Sequence, residues 1–88
     1  MMWSAMIDLP SLDAPQKRSI TLDGHQTSVS LEDAFWRGAA TAAQAAGMTR
    51  VQLIAAIDHA RPAEVGLATA IRLYLYDQAQ LAQAHSGE

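Results

Sequence analysis

Cysteine is absent from the 88-residue chain. Disulfide staples and thiolate metal sites are therefore excluded, and a reducing, cytoplasmic compartment is the simplest expectation. Aromatic side chains make up only 6% of the residues, so little bulk is available to fill an interior. Basic residues are scarce as well. Lys17, Arg18, Arg37, Arg50, Arg61 and Arg72 stand against nine acidic residues and leave a net charge of −3. Nucleic-acid-binding domains are ordinarily basic, so such a role would have to rest on a local patch. Long apolar runs are missing too. Residues 1–12 have no basic start, and neither a secretory signal nor a membrane span is expected. The chain lacks a Gly-rich phosphate loop, a nucleophile elbow and a His-Glu metal motif, so no enzyme activity and no cofactor are expected. His25, His59 and His85 are not spaced as a helical metal pair, and no metal site is expected from them.

What is present is a chain that is half hydrophobic by count, much of it alanine. Alanine contributes little apolar area, and a chain of this length buries a smaller share of its surface than a larger one. A second subunit is the natural source of the missing burial, so a homodimer is expected.

Residues 1–16 carry Pro10, Pro15, Asp8 and Asp13 with no sustained period, and read as an irregular arm whose Trp3, Met6, Ile7 and Leu9 can dock on a neighbour. One domain is expected over residues 17–84, with residues 85–88 as a frayed tail. The domain opens on a hairpin signal. Polar and apolar residues alternate over 19–22 and again over 25–31, and Asp23-Gly24 lies between them as a two-residue turn. This register sets Leu22 opposite His25, Ile20 opposite Thr27 and Arg18 opposite Val29. Ile20, Leu22, Val29 and Leu31 then share one face, and Lys17, Ser19, Thr21, Gln26, Ser28 and Ser30 share the other.

Three helices follow. Ser30 is a candidate N-cap for the first, with Asp33 three residues on in a variant of the capping box, and Gly47 closes it. Its inward stripe reads as Phe35, Ala39, Ala42 and Ala46. Adjacent helical residues diverge by about a hundred degrees, so with Phe35 inward, Trp36 is expected to meet a sister subunit, the arm or a partner protein. Thr49 and Gln52 form a second capping box for a helix over 50–60 with Leu53, Ile54 and Ile57 inward, and Met48 can staple onto Leu53. Asp58 and Arg61 are spaced for a local ion pair. Arg61-Pro62 and Gly66 then interrupt the chain. The last helix is expected over 67–84, with Leu67, Ile71, Tyr74, Leu75 and either Leu81 or Ala82 inward.

Strand, capped helix, Gly-apolar-Thr corner and second helix follow in the order of the ribbon-helix-helix superfamily, to which the Arc and MetJ repressors belong. The segments Lys17-Arg18-Ser19-Ile20, Gly24 through Glu32, Phe35-Trp36, Gly47-Met48-Thr49, Leu53 through Asp58 and Ala70 through Tyr74 sharpen the likeness. They resemble a bacterial subgroup of such domains with an added third helix, over about residues 17–76. The resemblance implies a mainly α intertwined homodimer built around a short antiparallel β-ribbon. It also implies a small bacterial transcription regulator whose ribbon enters the DNA major groove. By position, the base-contacting residues would be Gln26, Ser28 and Ser30. The phosphate contacts would be Thr49 and Arg50 at the start of the second helix, where backbone N–H groups and the helix dipole favour an anion. Lys17 and Arg18 are a possible phosphate clamp beside the ribbon.

Each assignment has a plainer alternative. Gln26, Ser28 and Ser30 are also what the solvated face of any half-buried ribbon contains. Thr49-Arg50 can be an ordinary capped helix start, and Lys17-Arg18 a common surface pair. The alternative function is a protein-interaction or assembly module of the same dimeric fold without DNA binding, motivated by the acidic charge, the apolar arm and a four-stranded sheet, wider than a two-stranded ribbon, that pairing of two hairpins would make.

Overall fold

The computed structural model describes residues 7–9 and 12–86, without the side chains of 85 and 86. Strand β1 (Gln16–Leu22) pairs antiparallel with β2 (His25–Leu31). Asp23 and Gly24 join them with φ of 52° and 83°, the two positive values that a type I′ turn requires and that match the twist of the strands. No atom crowds the position of a Cβ on Gly24, so its conformation and not its packing calls for glycine. The pairs Leu22 to His25, Ile20 to Thr27 and Arg18 to Val29 are those that the alternation predicts. Leu22, Val29 and Leu31 are buried beneath the hairpin, with Ile20 and Thr27 half-buried beside them. All six polar residues of the other face are exposed.

Ser30 is not a helix cap. It lies in β2 opposite Lys17, and the strand runs on to Leu31, which is completely buried. Leaving the ladder at Ser30 would lift Leu31 from the core, and that cost outweighs one capping bond of about 1 kcal/mol. Helix α1 (Asp33–Ala45) starts instead after Glu32, whose side chain makes no cap bond. Asp33 supplies negative charge at the positive end of the helix dipole and pairs with Arg37 at 2.8 Å.

The buried stripe of α1 is Trp36, Ala39 and Ala43, so the orientation expected from Phe35 is corrected. Trp36 is 1% exposed and lies in the central core, whereas Phe35 is half-buried at its margin and Ala46 is exposed. An indole removes roughly 150–250 Å² from water when buried, more than any other side chain here can. The helix turns that residue beneath the hairpin, and the small Ala39 and Ala43 let neighbouring elements approach.

Gly47, at φ of 72°, ends α1 in a Schellman arrangement. Its N–H donates to the carbonyl of Gln44 and that of Met48 to the carbonyl of Ala43, at 3.1 and 2.9 Å. Helix α2 (Arg50–Ala60) follows at once, with Leu53, Ile54 and Ile57 buried. It stops at Arg61, whose extended backbone is what the residue before proline prefers. The Arg61 guanidinium donates to Asp58 at 2.8 Å and to the Val65 carbonyl at 2.7 Å, and so closes the loop into the last helix.

Helix α3 (Leu67–Ser86) packs Ile71 fully into the core, with Leu67, Ala68, Ala70, Tyr74 and Leu75 around it. It passes the expected end at residue 84. Leu81 and Ala82, one of which was expected inward, are both exposed. Residues of α1 and of the middle and distal parts of α3 line an open groove of about 550 Å³. Among the described residues, no helix is long and apolar enough to cross a membrane. Trp3 and Met6 of the expected arm lie outside the described residues, and Ile7, Leu9 and Leu12 are exposed.

Candidate nucleic-acid interface

Gln26, Ser28 and Ser30 recur at alternate positions of β2, so the pleat turns all three to the outer face of the hairpin. Thr21, Ser19 and Lys17 stand directly across from them on β1. This face holds hydroxyl and amide groups and one positive charge, with no carboxylate among its six residues. Serine hydroxyls can donate or accept, and a glutamine amide can offer both kinds of bond to one base edge.

The six basic side chains divide into two sets. Arg37, Arg61 and Arg72 pair with Asp33, Asp58 and Glu32 at 2.8, 2.8 and 2.9 Å. The ion pairs among the described residues do not include Lys17, Arg18 or Arg50. Of these three, the resemblance assigns Arg50 to phosphate, and Lys17 and Arg18 are the possible clamp beside the ribbon.

Lys17 and Arg18 do not form one clamp. Adjacent strand residues face opposite ways, so Lys17 lies on the outer face while the Arg18 guanidinium stacks beneath the sheet over Trp36, 5.0 Å from the ring centroid. Arg50, the first residue of α2, places its guanidinium 5.3 Å from the same centroid. The indole Nε1–H donates to the carbonyl of Gln16 at 3.0 Å and ties α1 to the beginning of β1. Trp36 therefore joins β1, α1 and α2 at one corner.

At that corner the capping box is complete. Thr49 Oγ1 accepts from the Gln52 N–H at 3.1 Å, and Gln52 Oε1 accepts from the Thr49 N–H at 2.8 Å. The Thr49 hydroxyl is thereby committed to the helix, and the box leaves over the N–H groups of Arg50 and Val51. No acidic side chain occupies the first turn of α2 to offset its positive end.

The opposite arrangement surrounds Phe35. Arg72 lies over its ring at 5.8 Å, bonds Glu32 through Nε at 3.0 Å and reaches the Ser30 carbonyl at 3.4 Å. The Glu32 backbone N–H, and then the Arg72 guanidinium, hold the Glu32 carboxyl below the usual glutamate range. A further tie joins the hairpin turn to the end of α2, where Asp23 meets His59 at 2.7 Å.

The structure thus brings Arg18, Arg50 and Thr49 to one corner and leaves Gln26, Ser28, Ser30 and Lys17 together on the outer sheet face. Trp36 was missed as a member of the candidate site. Its partners lie 14 and 18 positions away in the chain, and no local spacing signals them. A family model described as "Ribbon-helix-helix domain" matches residues 15–79. No curated protein and no solved structure matches the chain.

Proposed function

The chain belongs to the ribbon-helix-helix family, a family of DNA-binding regulators in general, and from that premise we propose that it is a small bacterial transcription regulator binding duplex DNA as a cytoplasmic homodimer. The observation that carries this reading is the placement of charge. An overall acidic chain keeps carboxylates off one sheet face and leaves three basic side chains, Lys17, Arg18 and Arg50, outside the ion pairs of the described residues. Gln26, Ser28 and Ser30 read bases; Lys17, Arg18, Thr49 and Arg50 hold phosphates, with Thr49 acting through the backbone it orders.

The hairpin supports one way for such a dimer to meet DNA. Within the chain β1 covers one edge of β2, so the second copy pairs along the other edge and the sheet has four strands. With strands about 4.8 Å apart its outer axes are roughly 14 Å apart, against a major groove about 12 Å wide. The two β2 strands lie at the centre, where bases are reached, and the two β1 strands lie at the rims, where phosphates run. Lys17 is the outer-face charge on those rims. The sheet lies across the groove instead of sinking edge-on into it, and phosphate contacts supply most of the affinity.

Duplex affinity across a salt series tests this. The logarithm of the binding constant falls linearly with that of salt, and Arg50→Ala weakens all sequences alike and makes the slope shallower by about one. Gln26→Ala narrows the difference between preferred and random sites. Absence of binding even at low salt would sink the proposal.

A second reading is favoured by one observation. Tyr74 lines three apolar grooves, and Leu73 and Tyr76 beside it are 60% and 64% exposed. A dimer that uses this surface to bind another protein would be an assembly module. Affinity capture that recovers a stable protein partner without DNA favours it, and recovery of DNA alone counts against it.

A further inference from the structure

The three basic residues outside the ion pairs of the described residues are unevenly placed. Lys17 stands by itself on the outer sheet face, whereas Arg18 and Arg50, from different elements, share one indole. We infer that Trp36 is a positioning residue that holds Arg18 and Arg50 together as one two-arginine grip on the DNA phosphate backbone. The inference rests on the DNA-binding reading above and names the device by which one corner of that site would work.

Three observations carry it. The ring cannot tilt, because Trp36 is 1% exposed and its Nε1–H is bonded to the Gln16 carbonyl at 3.0 Å. A fixed ring gives fixed places for the guanidinium groups stacked on it. Second, the two guanidinium groups come from different elements, and what draws both to this corner is the π-system of one indole, the strongest cation–π partner among the side chains. Third, the polar bonds of the two side chains to described residues are long. Arg18 reaches Gln16 Oε1 and Arg50 reaches the Trp36 carbonyl, each at 3.5 Å, the long limit of a hydrogen bond.

Arg72 over Phe35 supplies the internal control. There the charge is answered by Glu32 at 2.9 Å, and the contact is a tether. At Trp36 the ion pairs among the described residues provide no carboxylate for either arginine. Two forked donors in a fixed relation suit the oxygens of one phosphate or of two successive ones.

The experiment is a double-mutant cycle on the full chain, with mixed-sequence duplex DNA as the probe and salt varied. Wild type, Arg18→Ala, Arg50→Ala and the double variant are compared, and each is repeated with Trp36→Phe. A shared grip makes the double variant lose less than the product of the single losses, by at least about threefold. With Trp36→Phe, which keeps an apolar ring but drops the Nε1 bond, that coupling falls toward one. Arg18→Lys with Arg50→Lys keeps both charges on the surface without the planar stacking, and it loses the coupling too. This pair decides the matter if Trp36→Phe does not fold.

A spectroscopic signature separates positioning from support. In a Trp3→Phe background Trp36 is the sole indole. DNA shifts its emission when both arginines are present and leaves it unchanged in the double alanine variant. Multiplicative single losses with DNA binding intact overturn the inference and leave the function standing. Failure of the wild type to bind DNA at low salt overturns both. Loss of an acidic protein partner by the double variant, with DNA affinity unchanged, also overturns it and makes a protein carboxylate the ligand.

Discussion

Phe35 and Trp36 are neighbours on α1, and each lies beneath arginine, yet the two corners are built for different ends. Arg72 over Phe35 is answered by Glu32 and bonded toward the end of β2, so its charge is spent inside the protein. Arg18 and Arg50 over Trp36 have no such answer among the ion pairs of the described residues. The same contact between cation and ring is a fastening in one place, and in the other it carries no carboxylate among the ion pairs of the described residues. The deciding feature is one carboxylate and not the stacking. In an acidic protein with six basic side chains, where the acids stand matters as much as how many bases there are.

The largest effect that would sharpen this contrast is on stability. Trp36→Ala removes a wholly buried indole and should cost about 3–5 kcal/mol, read as a fall in the urea midpoint. Phe35→Ala, at the half-buried margin, should cost clearly less; equal losses would erase the distinction between centre and rim. Next in size is a crossed pair of arginine variants. Arg50→Ala should lower duplex affinity by about tenfold, or 1.4 kcal/mol, with little change in melting temperature. Arg72→Ala should leave DNA binding alone and lower stability only slightly, since its ion pair with Glu32 is screened by solvent. If the two variants exchanged effects, the roles assigned to the corners would be reversed.

The smallest effect is a pH dependence. The folded protein holds Glu32 below the usual glutamate range, so the unfolded chain binds more protons in that window. The stabilisation is fully present above the unfolded pKa and is lost as pH falls through the folded one. Glu32→Gln should therefore flatten part of the acid limb of a stability profile. An unchanged limb would show that Arg72 is not spent on Glu32 in solution.

Much of the fold was legible because local rules govern it. The Asp23-Gly24 turn dictates the hairpin register, Thr49 with Gln52 announces the start of α2, Pro62 limits its end, and Gly47 closes α1. Where two local rules competed, the reading failed. Ser30 satisfies both a strand alternation and a cap preference, and the burial of Leu31, a tertiary matter, settles it for the strand. Phe35 and Trp36 are equally ambiguous, because alanines follow both at helical spacing and either residue can lead an inward stripe. The overrun of α3 past residue 84 has no terminating glycine or proline to mark it until Gly87. Of the candidate interface, the polar outer face was legible from alternation. The meeting of Arg18, Trp36 and Arg50 was not, because it joins three separate elements.

The bond from the Trp36 indole to the Gln16 carbonyl also governs how the protein can be handled. It pins the point at which the upstream polypeptide joins the fold, two residues from Arg18 and at the indole on which Arg50 rests. An affinity tag or reporter fused upstream would be tethered next to the charged corner and could mask it, whereas one appended after α3 departs from a helix end remote in sequence from that corner. Labelled or immobilised material for binding work is best prepared from the carboxyl terminus.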